Sequence, residues 1–397
     1  MTDELTRPSL TLACELDAAR LTELFADPSV IDDLQALGAR VTIMVSDFSV
    51  ERAHVVRQLN QAGIPLVGIP LFPVEEGYYF TVDNAPRAAG RYQQWKQWTA
   101  EHGLVWDQVG LDLEPEAQFY LQLMANPWGL VPRLLQRLRD HERVARARAA
   151  YAELVDQIHA DGWPVENYQF PFIADERRAG STLLQRLMGL VDVPTDREVW
   201  MQYTSFVGAL GPGILWSYGP ESDAIAVGTT GGGPDVPGHP QFTPLRWEEL
   251  TRDLRLARRW TDQLYIHSLE GCVWNGYLTP LRSLDWTPAS TPPETATVAG
   301  LLRAGLRGVL RISVHPWLAA GLVAALLWLF ARRRGRAAQE RAGRVCSTAV
   351  TRQRMYGDGP ESYSQRASPT AGTRMPPYSA SAWLRFTQDS LRPRASL

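Results

Sequence analysis

Three features of this 397-residue chain predict its fold class: an α/β (β/α)8 TIM barrel, followed by a single C-terminal transmembrane helix and a disordered tail. Eight short apolar segments recur before about Trp286. Longer stretches with apolar residues every three or four positions separate most of them. An uncharged run of 20 residues stands after the last. The first two features give the strand count and size of a closed parallel barrel, and the third has the length of a bilayer-spanning helix. An open doubly wound sheet is the alternative arrangement of the same barrel elements.

The expected strands are SLTLACELD (9–17), RVTIMVSDF (40–48), IPLVGIPLF (64–72), QVGLDLEPE (108–116), NYQFPFI (167–173), EVWMQYTSF (198–206), DAIAVGTT (223–230) and QLYIHSLEGCVW (263–274). Near-continuous Val/Ile/Leu runs of this kind suit a parallel sheet covered on both faces. VERAHVVRQLNQAG and PLRWEELTRDLRLARRWTDQ carry helical spacing between them. After strand six the Gly- and Pro-rich GALGPGILWSYGPES predicts a loop or a very short helix. Closure of the barrel would make strands one and eight neighbours, bringing the Cys14 and Cys272 segments together.

The barrel is expected over 1–290, with 291–311 as a linker and amphipathic juxtamembrane segment. The run ISVHPWLAAGLVAALLWLFA, 312–331, contains no Asp, Glu, Lys or Arg and precedes RRRGR. It is read as one membrane span, making the chain a single-pass membrane protein. Arg332, Arg333, Arg334 and Arg336 favour a cytoplasmic C-terminus, but Arg303, Arg307 and Arg311 flank the other end, so charge bias leans only weakly to a barrel outside the cytoplasm. The start, MTDELTRPSLTLACELD, has neither a basic beginning nor a continuous apolar stretch, and no cleaved secretory signal is expected. Residues 332–397 form a basic tail, rich in Ser, Arg, Pro, Thr and Gly from about Ser347, which predicts disorder.

A composition of 45% hydrophobic and 21% charged residues is that of a globular protein with a sizeable core. The net charge of −3 gives no argument for a polyanionic partner, and no nucleic-acid footprint is present. Three cysteines, Cys14, Cys272 and Cys346, show neither metal-ligand spacing nor the even number of a disulfide framework. Fourteen tryptophans are abundant for core packing alone and can serve as stacking platforms for sugar rings.

In such a barrel the site is built at the C-terminal strand ends. There the sequence places Glu15 and Asp17, Ser46 and Asp47, then Glu75, Glu76, Tyr78 and Tyr79, and on strand four Asp112, Glu114 and Glu116. Strand five holds Tyr168 and Gln169 ahead of Asp175 and Glu176, and strand six Gln202, Tyr203 and Thr204. Strand seven supplies Thr229 and Thr230, and strand eight His267, Glu270 and Trp274. Rich in carboxylates, amides and aromatic rings and poor in lysine, this set suits a neutral polyhydroxylated ligand better than a phosphate. The run TTGGGPDVPG lacks the phosphate-loop pattern and reads as a flexible connection.

In VGLDLEPE the acids at 112, 114 and 116 alternate with leucines, so an extended chain points all three to one face. Like charges at close range raise the pKa of at least one carboxyl, and a proton held near neutrality is what a general acid needs on a glycosidic oxygen. Glu116, nearest the mouth, is the candidate acid. Two other readings stay open: Pro115 ends the strand so that Glu116 turns aside, or the three carboxylates hold a divalent metal.

The segment G-L-D-L-E-P-E resembles the strand-four signature of the family-18 glycoside hydrolases, chitinase-like barrels, written D-G-x-D-x-D-x-E. Gly110 matches its glycine, Asp112 its next acid, Glu114 the middle aspartate and Glu116 the final glutamate. The resemblance implies Glu116 as general acid and Glu114 in the place that orients the substrate's N-acetyl group. M-Q-Y-T-S-F is similar to the family's M-x-Y-D-F/Y, which implies that Tyr203 bonds substrate near the reacting carbon. Trp274 would correspond to the tryptophan that floors the sugar subsite. Val109, Glu114 and Thr204 stand where the family has aspartates.

The expected function is therefore that of a membrane-anchored glycoside hydrolase-like protein acting on a polysaccharide or cell-envelope glycan. Glu116, Glu114 and Asp112 are its catalytic candidates, and Tyr203, Trp274, Gln202, Glu270 and Glu15 its substrate-binding ones. Carbohydrate and membrane are the expected partners, with no cofactor, no metal and no nucleic acid. A non-catalytic glycan-binding barrel is the alternative, followed by a metal-dependent hydrolase or isomerase on the same acids. The sequence carries no signal for oligomeric state.

Overall fold

The computed structural model describes residues 7–116, 119, 122, 126–233, 242–315, 317, 320, 321, 324–329 and 332. Eight parallel strands close into one barrel in chain order. They are β1 (Ser9–Cys14), β2 (Arg40–Val45), β3 (Leu66–Pro70), β4 (Gln108–Asp112), β5 (Val165–Gln169), β6 (Arg197–Met201), β7 (Ala224–Gly228) and β8 (Gln263–His267). Strand β1 pairs with β2 on one side and β8 on the other, with Leu12 opposite Ile266. The expected closure is thus met, and the fold is a TIM barrel.

Alternation along each strand divides the apolar residues into two sets. Leu10, Leu12, Val41, Ile43, Val109 and Leu111 pack outward against the helical shell. Ala13, Met44, Ile69, Tyr168, Val199, Met201, Ala226 and Tyr265 fill the interior. Gly110 faces that interior, where an added Cβ would stand 2.5 Å from Ile69 Cγ1. The glycine matched to the family signature is therefore required by packing.

Deeper in the barrel the buried Glu166 accepts hydrogen bonds from Tyr168 (2.7 Å) and Tyr265 (2.9 Å), and Arg40 lies 3.4 Å away. This polar network fills the lower interior, and the cavity of the barrel lies at its C-terminal end. Helix starts are set locally. Asp17 accepts from the Ala19 and Arg20 amides at 2.9 Å, and Ser49 caps the helix Val50–Gln61.

After β6 the chain forms an eight-residue helix, Gly211–Tyr218, where a loop or very short helix was expected. Its glycines serve close approach. A Cβ at Gly211 would come within 2.5 Å of Thr204, and one at Gly213 within 2.5 Å of the Thr295 carbonyl.

Within 291–311, expected as linker and juxtamembrane segment, residues from 296 onward form the helix Ala296–Val314, which packs against the helices Gly211–Tyr218 and Ile173–Ala179. Its arginines are used by the barrel. Arg303 is buried, with Nε 3.0 Å from Asp175 and Nη2 2.6 Å from Glu221, and its guanidinium lies 3.8 Å from the centre of the Tyr218 ring. Arg307 adds a 2.6 Å bond to Asp175. Arg303 and Arg307, counted above as flanking charges, are thus ion-paired to the barrel.

Among the described residues no helix is long and apolar enough to cross a membrane. Seven of the twenty residues of the expected span 312–331, and nearly all of the tail, including Cys346, lie outside the described residues.

Removing one partner from a buried ion cluster leaves the other desolvated and uncompensated. Arg303→Met is expected to lower unfolding free energy by roughly 3 kcal/mol, read from the denaturation midpoint. A loss within about 0.5 kcal/mol, the worth of an exposed pair, would show that this cluster does not hold the helix.

Candidate active site

The site forms because the inward alternation of the strands continues past their ends. On β4, Asp112 points inward, and the Phe80 amide donates to its carbonyl at 3.0 Å. Leu113 bridges Phe80, which keeps the chain extended for one more residue and sends Glu114 to the same face. Pro115 then turns the chain. Glu116 leaves the cavity and meets Arg133 at 3.3 Å, half-exposed.

Asp112 and Glu114 line a cavity of about 540 Å³ with Glu15 of the β1 end, Tyr203, His267 and Trp274. It lies at the barrel mouth, within the size range of small-molecule sites. Of the eight residues expected at the site, the structure brings together Asp112, Glu114, Glu15, Tyr203 and Trp274. It does not bring in Glu116, Gln202 or Glu270. Gln202 turns its amide to Ser222 (3.0 Å) and borders a neighbouring cavity instead.

Glu270 is buried behind the wall. Its Oε1 accepts from the Gly233 amide at 3.0 Å, and a Cβ on Gly232 would stand 2.4 Å from its Cγ. Gly231, Gly232 and Gly233 all have positive φ, at 105°, 80° and 92°. Within the run read as a flexible connection, Gly231 to Gly233 are therefore shaped wall, which Glu270 positions and which favours glycine, while 234–238 lie outside the described residues.

Burial dominates the electrostatics. It pushes the Asp112 carboxyl well above the usual carboxylate range, with Glu114 and then Glu15 adding to the effect. Glu15 is raised for the same reason, next by Glu114 and Glu270, while a hydrogen bond from Tyr78 opposes the rise. Tyr78 adopts φ 63°, a left-handed conformation that non-glycine residues rarely take. The Tyr203 phenol is likewise pushed up by burial, then by Glu114, Asp112 and Glu15. The cavity thus sets two carboxyls whose pKa is raised, Asp112 and Glu15, beside the less buried Glu114.

The sequence placed His267 at the end of strand eight but gave it no catalytic or binding role. It is two residues after Tyr265, so the same alternation points it inward; that was the available signal. Its Nε2 lies 3.8 Å from Glu15, and its ring stacks on Tyr203 with centroids 5.3 Å apart. No pattern announced Phe242, whose ring stacks on Phe206 at 3.9 Å along the cavity wall. Trp274 is 52% exposed, with the Arg20 guanidinium 5.3 Å from its ring centre.

The other strand-end acids have structural work. Asp47 pairs with Arg52 at 2.6 Å, Asp175 with Arg303 and Arg307, and Glu176 accepts from the Leu184 amide at 2.6 Å. The three strand-four acids do not converge as a metal set, since Glu116 diverges. Among the described residues no group of three His, Cys, Asp or Glu side chains could hold a metal ion. The arrangement is suited to proton transfer beside a neutral ligand with apolar ring faces.

No known protein-family model matches the chain, and no curated protein matches it. Solved structures similar to it are remote in sequence. The glycoside hydrolase domain of PgaB (BpsB) from Bordetella bronchiseptica has 11% identity and a TM-score of 0.43, covering 72% of this chain and 100% of that one. A sugar phosphate isomerase/epimerase from Parabacteroides distasonis has 10% identity and a TM-score of 0.38, covering 72% and 97%. An endo-β1,6-glucanase has 12% identity and a TM-score of 0.33, covering 66% of each chain. Likenesses this remote carry no functional information.

Proposed function

We propose that the chain is a carbohydrate-active barrel, a glycoside hydrolase whose acid chemistry resides in Asp112, Glu15 and Glu114. The observation that carries this is the meeting of three carboxylates with Tyr203, His267 and an exposed tryptophan in one cavity at the barrel mouth. Asp112, whose carboxyl pKa burial raises, donates its proton to the leaving glycosidic oxygen as the anomeric C–O bond breaks. Glu114 stabilises the positive charge that develops at the anomeric carbon, and water adds its hydroxyl there while its other proton returns to the Asp112 carboxylate, completing hydrolysis. Glu15 and His267 form a second proton-handling pair, and Trp274 offers a ring face to the sugar.

A non-catalytic glycan-binding barrel is the second reading, favoured by one observation: Glu116, on the signature's acid position, faces Arg133. Release of reducing ends from chitin- or peptidoglycan-type oligomers separates the two. Hydrolysis is expected to fall by about 10²–10⁴-fold in Asp112→Asn and Glu114→Gln, and to change little in Glu116→Gln. Glycan binding by the parent chain without turnover of any oligomer would establish the binder instead.

The raised pKa values carry a sign. A carboxyl whose folded pKa exceeds its unfolded one contributes stability that is complete below the unfolded value, about pH 4. That stability is lost as pH rises through the folded value. Asp112→Asn is therefore expected to raise the melting temperature at neutral pH, by an amount that shrinks toward about pH 4, together with the fall in turnover given above. A gain independent of pH would contradict the protonated Asp112.

Membrane attachment through 312–331 is proposed from its length and lack of charge. Full-length chain is expected to float with phospholipid vesicles, and Leu326→Lys with Leu327→Lys to leave it in the soluble fraction. Unchanged flotation of that double variant would rule out this run as the anchor.

A further inference from the structure

Beside the candidate active site lies a second cavity of about 330 Å³. Phe170, Phe172, Ile214, Leu215, Leu302 and Leu306 form much of its wall. Met201, Tyr203 and Phe206 line both cavities, so the two spaces share a partition of side chains. Their chemistry differs sharply. The first gathers carboxyls, phenols and an imidazole, and the second is walled by hydrocarbon.

Most polar groups on the second cavity's border are engaged, the exception being Gln202, whose amide nitrogen donates to Ser222 while its Oε1 has no partner. Arg303 is paired with Asp175 and Glu221, the Tyr218 hydroxyl donates to Asp175 at 2.7 Å, and the Thr204 hydroxyl donates to Asp253. A polar ligand would gain little there, and an aliphatic one would shed its hydration at no cost in broken bonds.

The surface beside the groove continues the pattern. On the helix Ala296–Val314 the residues Val298, Leu301, Leu302 and Val309 are exposed and share one face by their spacing. Leu302 belongs both to this stripe and to the groove wall. The helix leads directly into the uncharged run 312–331.

We propose that the groove receives the aliphatic chain of an amphiphilic glycoside, so that the ligand of the main cavity is a saccharide carried on a long alkyl or lipid aglycone. This rests on the carbohydrate reading of that cavity and adds its substrate class. The sugar lies over Asp112, Glu114 and Trp274, and the chain passes the Tyr203–Phe206 partition into the groove.

The test is calorimetric titration of the full chain with butyl, octyl and dodecyl N-acetyl-β-glucosaminides below their micelle-forming concentrations, with hydrolysis followed in parallel. Affinity is expected to rise on the order of fourfold for each methylene that enters the groove. Leu302→Asp is expected to flatten the series. At 56% exposure the site tolerates a charge without disturbing the core. Val309→Asp, on the same stripe but outside the groove lining, is expected to leave the slope intact.

A flat series in the parent chain overturns the proposal, and cleavage of the butyl glycoside in that case leaves the hydrolase reading standing. Equal loss of slope in both variants would show general adhesion to an apolar surface and also overturn it. Equally tight binding of dodecylphosphocholine would remove the sugar from the proposal. A slope that depends on Leu302 with no glycoside cleaved supports the groove and its ligand while the hydrolase reading falls.

Discussion

Closure of the parallel sheet is the constraint on which the rest of this protein depends. Once β1 pairs with β8, every second residue of all eight strands must share one interior. The lower part of that interior is filled by the Glu166, Tyr168 and Tyr265 network, and the middle by aliphatic and aromatic side chains. The upper part is left to residues just beyond the strand ends. There the same alternation that buries Leu111 and Leu113 against the helices turns Asp112 and Glu114 to the lumen. A cluster of carboxyls is thus a direct consequence of strand geometry, and its low-dielectric surroundings follow from barrel packing.

That setting explains how acids of one chemical type come to differ. Asp112 and Glu15 are almost wholly buried, and desolvation raises both. Glu114 sits one step further out and adds its charge to theirs. Environment, rather than residue type, sets these carboxyls apart. Tyr203 and His267, stacked on one another, complete the far wall. The glycine loop closes the site on another side because Glu270 holds Gly233 and leaves no room for a Cβ on Gly232.

Past residue 290 the chain remains part of the barrel's packing. The helix Ala296–Val314 is joined through Arg303 and Arg307 to Asp175 and Glu221, and together with Gly211–Tyr218 it shapes the apolar groove beside the mouth. Polar and apolar cavities therefore adjoin through Tyr203 and Phe206. The position of that partition gives the second cavity its meaning, since a ligand crossing it must be amphiphilic.

Much was legible in the sequence because it depends on local periodicity. Eight apolar runs with helical spacing between them specified the barrel, and two-residue alternation in VGLDLEPE placed Asp112 and Glu114 inside. Glu15 and Tyr203 followed from their places at strand ends, and the inward phase of β8 also contained His267, whereas the expected strand 263–274 stops at His267 and Trp274 reaches the cavity from the end of the helix Leu269–Trp274. What the sequence could not decide was where each extended segment stops. Pro115 ends the alternation one residue before Glu116, which then finds Arg133 on a different element. Gln202 and Glu270 were diverted by Ser222 and by the Gly233 amide, partners distant in sequence. The arginines of the last helix likewise looked like flanking charge until folding set Asp175 and Glu221 against them. Periodicity is written in neighbouring residues, whereas the partners that claim a charged side chain are brought together only by the closed barrel.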